Sequence, residues 1–375
     1  MKGQPASSSR EPQEPTDERP GPFVGQGPEL DGLTNDLDRV LLGQGQLVLV
    51  SGDPGLGKTR FAQEIASVAR DRGMGVHWGV SREGDGSRPY WPWVQILRSY
   101  VAGCDPTQLR AELGSGAAIV GRLVPEIRET LPDAEILAPT PESDDDRLML
   151  FDALTTFLRN ASDNRPLVFI LDDLHWADSS SLLLLNHVAR SLGERRFAVV
   201  ATYSELDVTP SSPLMSTVGQ LGRVSSAPTR RVHLSGFSAE DTSSYIESVI
   251  GIPPTADVIR TIHSRTGGNP LFLVELVDQL AAPSSDVPQS WETEIPDSIR
   301  GLIGRRLERL SEQCSLVLTT ASVIGGRFSL GQLRAAHDEL SEETLFDLLE
   351  EASRERVITD SEGSAVEYEF TQKLT

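Results

Sequence analysis

Cysteine is scarce in this sequence of 375 residues: there are two, Cys104 and Cys314. So wide a separation makes no metal-binding spacing and no disulfide framework, and a reducing cytoplasm is the expected compartment. Positive charge is also short, with 34 Lys and Arg against 55 Asp and Glu and a formal net charge of -21. A surface this acidic repels phosphate backbones at long range, so direct DNA contact by this segment is disfavoured. No apolar run approaches the roughly 18 residues needed to span a bilayer. The N-terminus has no apolar signal-peptide core, and no internal repeat is visible. What remains, with 38% apolar and 24% charged residues, suits packed globular domains.

Read along the chain, 1–22 is a polar, proline-rich stretch expected to form a disordered tail. Apolar runs at Gln46–Val50, Val76–Val80, Leu167–Leu171, Phe197–Thr202 and Arg231–Leu234 predict strands, the inner ones buried on both faces as in a parallel sheet. Helical periodicity separates them at Glu29–Leu42, Thr59–Asp71, Trp91–Val101, Arg147–Arg159 and Ser179–Leu192, with Asp178 or Ser179 as the N-cap of the last. This alternation predicts an α/β fold with a doubly wound parallel sheet over 23–236. Three short helices, Ser238–Ile250, Ala256–Thr266 and Leu271–Ala281, predict a helical lid over 237–290, with a linker at 282–294. Further helices at Asp297–Leu310, Glu312–Val323, Leu330–Asp338 and Glu342–Glu351 precede a hairpin of Val357–Thr359 and Tyr368–Phe370, so 291–375 reads as a winged-helix-like module.

The sharpest signal is Gly52-Asp53-Pro54-Gly55-Leu56-Gly57-Lys58-Thr59, which fits G-x-x-x-x-G-K-[ST] in full between an apolar strand and an amphipathic helix. The glycines let successive backbone N–H groups turn toward a phosphate, and the helix starting near Gly57 adds its N-terminal dipole. Lys58 supplies a point charge for the β- and γ-phosphates and Thr59 a hard oxygen for Mg²⁺; Arg60 follows in the first helical turn. A P-loop NTPase fold binding ATP or ADP with Mg²⁺ is therefore expected.

The run Val168-Phe169-Ile170-Leu171 ends in Asp172-Asp173. Ligands of open α/β sheets bind at the carboxyl ends of strands. Asp172 is the expected metal residue. Asp173 reads either as the base that orients or deprotonates water, or as a polar residue steadying the following turn. His175 and Trp176 follow with no Ser or Cys nucleophile pattern, which favours a structural role. Tyr90, Trp91 and Trp93 read as a buried corner rather than a base-stacking platform.

Phe23-Val24-Gly25, the Gly52–Thr59 loop, the run Leu171 to Asp178 and Gly267-Gly268-Asn269-Pro270-Leu271-Phe272 occur in that order. Together they resemble the ATPase module of the signal-transducing ATPases with numerous domains, especially the large ATP-binding regulators of the LuxR type, and also origin-recognition-like AAA ATPases. The resemblance implies that Phe23, Val24 and Gly25 lie against adenine and that Pro270 packs on the base or ribose. It implies a switch whose ADP and ATP states differ in lid position and which couples an inducer or regulatory protein, and self-association on ATP binding, to transcription. Three departures stand out: Gln26 where Arg is common, Ser204 where the strand after Thr202 commonly ends in an Arg that senses the γ-phosphate, and Gln372 where a His commonly touches the β-phosphate. The resemblance also leads one to expect more chain beyond Thr375, including a DNA-binding part.

Three functions compete: a regulatory nucleotide switch with slow or no hydrolysis, an AAA-type assembly or remodelling ATPase, and a small-molecule kinase. The second needs an arginine finger, for which Arg195, Arg196, Arg230 and Arg231 are candidates. The long extension past the lid argues against the third.

Overall fold

A computed structural model of the chain describes residues 21–84, 88–133, 143–209, 211–281, 307, 310–337, 339–354, 357–360 and 367–370. The expected tail up to residue 20, the linker at 282–294, Gln372 and, apart from Leu307 and Leu310, the helix at 297–310 lie outside these residues.

Apolar runs flanked by glycine become strands because a parallel strand covered on both faces must be apolar throughout. In chain order the elements of the first unit are α1 (Gly27–Leu41), β1 (Gln46–Gly52), α2 (Lys58–Asp71), β2 (Gly75–Val80), α3 (Trp91–Ala102), α4 (Pro106–Leu113), α5 (Ala117–Val120), α6 (Glu126–Thr130), α7 (Asp144–Asn164), β3 (Leu167–Asp172), α8 (Ser179–Ala189), β4 (Phe197–Ser204), α9 (Pro213–Val224) and β5 (Thr229–His233). The five strands pair in the order β2-β3-β4-β1-β5, all parallel. Leu47, Leu49, Phe169, Leu171, Val199 and Ala201 join side chains of α3, α4, α7, α8 and α9 in one core cluster. Their alternate neighbours, such as Val48 and Ile170, are equally buried and by strand periodicity face the other side. Each buried Val, Leu, Ile or Phe contributes about 1.5–3 kcal/mol, so β3 alone anchors the sheet strongly.

Several expected boundaries shift, each for a local reason. Helix α7 begins three residues before Arg147 because the Ser143 hydroxyl caps it by accepting from the Asp146 N–H. Asp178, not Ser179, caps α8, accepting from the Ser181 N–H at 2.9 Å. Helix α8 stops at Ala189 rather than Leu192, and β5 starts two residues earlier than expected, at Thr229. Strand β4 runs two residues past Thr202, because its register with β1 continues to Gly52 opposite Ser204. Helices α4, α5, α6 and α9 were not anticipated.

The described residues divide into two compact units: the sheet unit holds 21, 26–52 and 58–234, and the second holds 22–25, 53–57 and the described residues from Ser235 on. The second contains α10 (Ala239–Ile250), α11 (Ala256–Thr266) and α12 (Pro270–Ala281), whose Tyr245, Ile246, Ile262, Leu273 and Val277 form a small core with Val24 and Phe237 against it. It also contains α13 (Glu312–Ile324), β6 (Arg327–Ser329), α14 (Leu330–Ala336), α15 (Glu342–Arg354), β7 (Ile358–Asp360) and β8 (Glu367–Phe370). The three short strands form an antiparallel sheet in the order β6-β8-β7, and Val317, Leu318, Leu333, Leu345 and Leu349 belong to the core cluster that also holds Phe328, Ile358, Tyr368 and Phe370. The hairpin was expected; its third strand, β6, was not.

Candidate nucleotide and magnesium site

The loop leaves β1 at Gly52 and enters α2 at Lys58, at the carboxyl end of the sheet. Gly55 and Gly57 both take φ of 84°. At Gly55 the need for glycine is twofold: the left-handed backbone, and a side-chain carbon that would stand 2.7 Å from Asn269 Oδ1. Within the second unit, Asn269 ties the loop tip to the start of α12. Its Nδ2 donates to the Pro54 carbonyl at 3.1 Å, its Oδ1 accepts from the Leu271 N–H at 3.0 Å, and the Leu271 N–H also reaches the Gly55 carbonyl at 3.2 Å. The run Gly267 to Pro270 thus has a local logic: left-handed Gly267 ends α11, Asn269 caps the next helix, and Pro270 fills its first turn.

On the sheet side, Lys58 is buried and its Nζ donates to the Gly52 carbonyl at 3.1 Å. The Thr59 hydroxyl donates to Asp172 Oδ2 at 2.9 Å, joining the loop to the end of β3. Arg60 is paired with Glu64 and also donates to the Gly21 carbonyl. Asp172, 2% exposed, accepts on its other oxygen from the Thr202 hydroxyl, while Thr202 Oγ1 accepts from the Asp173 N–H at 3.0 Å. Burial pushes the Asp172 carboxyl up, and the two threonine hydroxyls and Lys58 pull it back. Thr59 Oγ1 and Asp172 form a pair of hard oxygens, the donor set magnesium takes when phosphate and water complete its shell.

Asp173 takes a left-handed conformation, φ 57° and ψ 46°, which turns the chain just past the strand. Burial, then the neighbouring Asp172, push its carboxyl up to about 6, against the pull of Lys58. A carboxyl tuned upward beside a phosphate loop has the properties of a base for water. His175 sits 3.9 Å from Asp173 and 3.7 Å from Asp207, and its Nδ1 accepts from the Ser204 N–H at 3.3 Å. Ser204 itself is 1% exposed, and its hydroxyl has no hydrogen-bond partner among the described residues.

Val24 and Phe237 each pack against the small core of α10, α11 and α12, and Gly25 takes φ of 75° against the Phe237 ring. Tyr90 and Trp93 are buried: the Tyr90 N–H donates to Asp178, and the Trp93 indole donates to the Ser181 carbonyl. Arg230 is bound by Asp36, Arg231 donates to the Val218 carbonyl, and Arg195 pairs with Asp163 at 3.7 Å. Arg195 and Arg196 precede β4 and so lie at the sheet end away from the loop. Sequence reasoning passed over Thr202 and Asn269. Asn269 lay inside a motif already singled out, and Thr202 lay in the strand-end segment read only for its departure at Ser204; its bond to Asp172 depends on the pairing of β3 with β4.

Residues 22–200 match the AAA ATPase domain family, a stretch that covers the loop, β3 and the first half of β4. An uncharacterised protein of Rhizobium meliloti (strain 1021) is 25% identical over 338 residues, which is 84% of this chain and 31% of that protein. The chain therefore spans about a third of this curated relative's length. Among solved structures, a STAND protein with a tetratricopeptide repeat sensor from Pyrococcus horikoshii is 15% identical, with 95% of this chain and 43% of that one covered and a TM-score of 0.41. A Walker-type ATPase of Pyrococcus abyssi is 13% identical, with 92% and 93% covered and a TM-score of 0.48.

Proposed function

We propose, from the premise of an AAA-type ATPase module at residues 22–200, that this chain binds ATP with Mg²⁺ and acts as a slowly cycling nucleotide switch within a larger regulator. The observation that carries the reading is the junction of loop and acidic strand: Lys58 and Thr59 open one helix, and the Thr59 hydroxyl meets Asp172 at 2.9 Å. In this reading the loop amides of Gly52, Asp53, Pro54, Gly55, Leu56 and Gly57 (proline excepted) enclose the phosphates, and Lys58 neutralises them. Thr59 and Asp172 would hold the magnesium, which would supply neutralising positive charge to the phosphates. Asp173 takes the proton of the attacking water. Phe23, Val24, Gly25 and Pro270 contact adenine and ribose.

A switch is preferred over a fast motor because position 204 carries a hydroxyl, not a cation, beside Gly52 on the neighbouring strand. Losing a transition-state cation costs large factors in phosphoryl transfer. The output, whether transcription in the manner of LuxR-type regulators or another response, belongs to the same proposal, as does self-association on ATP binding. The test pairs calorimetry of Mg·ATP and Mg·ADP with phosphate release at rising protein concentration. Tight binding with turnover far below one per second at every concentration supports the switch. Brisk turnover that climbs steeply with concentration replaces it with an AAA-type assembly ATPase, and absence of nucleotide binding removes both.

A further inference from the structure

At the other end of the same sheet, where β2 and β3 begin, the first unit has a groove of about 450 Å³, within the range of small-molecule sites. Its walls include His77, Tyr100, Cys104, Gln108, Asn164 and Arg165. Behind them lies Glu112, 1% exposed. Its carboxylate accepts from Tyr100 Oη, Gln108 Nε2 and Asn164 Nδ2, each at 2.7 Å, and from Cys104 Sγ at 3.8 Å. Among the described residues Glu112 has no ion-pair partner. A buried charge without its counter-ion is costly, even when neutral donors surround it.

These bonds also fix what the walls offer. Gln108 and Asn164 spend amide N–H groups on Glu112, and among the described residues their carboxamide oxygens accept no hydrogen bond. His77 engages Ser99 through Nδ1, and burial, then Arg165 and Arg70, lower its pKa to about 4, so the ring is neutral near pH 7. Its ring lies 5.2 Å from that of Tyr100. Arg165 directs Nε and Nη2 to the Gly73 and Met74 carbonyls. The surface is thus rich in acceptors, partly aromatic and backed by a negative charge.

We propose that this groove binds a small organic molecule through a primary ammonium group, with the carboxamide oxygens of Gln108 and Asn164 accepting its N–H bonds and Glu112 supplying the counter-charge. Arg165 at the rim leaves room for a second, anionic end, so the ammonium can belong to a diamine or to a zwitterion. The site stands apart from the phosphate loop and is independent of the nucleotide reading.

The test titrates the whole 375-residue chain calorimetrically with putrescine, with 4-aminobutyrate and with butyrate, and follows alkylation of Cys104 by mass spectrometry. Saturable binding of either amine, with butyrate inert and Cys104 protected, is expected; which amine binds tells whether Arg165 takes part. Glu112→Gln should weaken binding about tenfold or more, as loss of a charged partner does. Gln108→Leu, at an exposed position that leaves the fold intact, should weaken it about threefold even where Glu112→Gln does not fold. ATP affinity, measured on the same samples, should not move. The proposal is overturned if neither amine binds, if butyrate binds equally well, or if Gln108→Leu and a folded Glu112→Gln both bind like the unaltered chain.

Discussion

Of the buried carboxylates among the described residues of this sheet unit, two lie at opposite ends of the sheet and are held in opposite ways. Asp172 at the carboxyl ends of the strands has a hydroxyl on each oxygen, from Thr59 and Thr202, and feels the charge of Lys58. Glu112 at the far end is enclosed by neutral donors from α3, α4 and the end of α7. Hydroxyls rotate freely, so the Thr59 hydrogen can turn away and leave two hard oxygens for a cation. Amides and a phenol locked around a carboxylate cannot rearrange so cheaply. The first arrangement is suited to exchange an ion with each nucleotide. The second acts through its field and through the side chains it orients.

The contrast is broken most directly at the loop. Lys58→Ala removes the buried cation nearest Asp172 and should cost at least about 3 kcal/mol of ATP binding, more than a hundredfold in affinity. Calorimetry with Mg·ATP checks it; unchanged affinity would mean that the loop holds no phosphate. At the other end the largest effect is on stability. His77 titrates near 6.5 when unfolded and at about 4 when folded. Its burial as a neutral ring therefore stabilises fully above pH 6.5, and that contribution falls away as pH drops toward 4, by at most about 3 kcal/mol. His77→Gln should flatten the urea-unfolding free energy over that window; an equally steep profile in the variant would assign the acid sensitivity elsewhere.

Next in size is Thr202→Val, which keeps shape but leaves Asp172 Oδ1 and the Asp173 N–H without their shared partner. It should cost about 1–3 kcal/mol of stability. It should also lower ATP affinity in magnesium while leaving affinity in EDTA unchanged, and Thr202→Ser should restore both. Equal losses with and without magnesium would reduce Thr202 to a general packing residue.

The residues involved show which parts of the molecule could be read in advance. The strands were legible because runs such as Val168 to Leu171 have one physical use, and the loop because its glycines and Lys58 have fixed spacing. Helices α4 to α6 escaped because four to eight residues give too few turns for periodicity to register. Strand β6, three residues long, exists only through its pairing with β8. Thr202 is one polar residue in an apolar strand, and Glu112 one acid on a short helix; only register and tertiary packing bring their partners to them. Asp173 was legible as an acid at a strand end, but its turn to φ 57° was not.

The smallest expected effect lies at Ser204, where the comparison is finest. Glu112 is buried with a donor in every lone-pair direction, whereas the Ser204 hydroxyl is buried beside Gly52 with no partner among the described residues. An unmet buried hydroxyl destabilises the ligand-free protein, so Ser204→Ala should stabilise it by up to about 1 kcal/mol. If the hydroxyl finds its partner in the terminal phosphate or the water beside it, the same change should lower ATP affinity a few-fold and leave ADP affinity alone. Thermal unfolding with and without each nucleotide separates these two consequences. A stability gain without a shift in ATP preference would place the hydroxyl outside the phosphate's reach. Loss of preference for ATP would make Ser204 a neutral sensor of the γ-phosphate, in keeping with a switch that reads its nucleotide more readily than it consumes it.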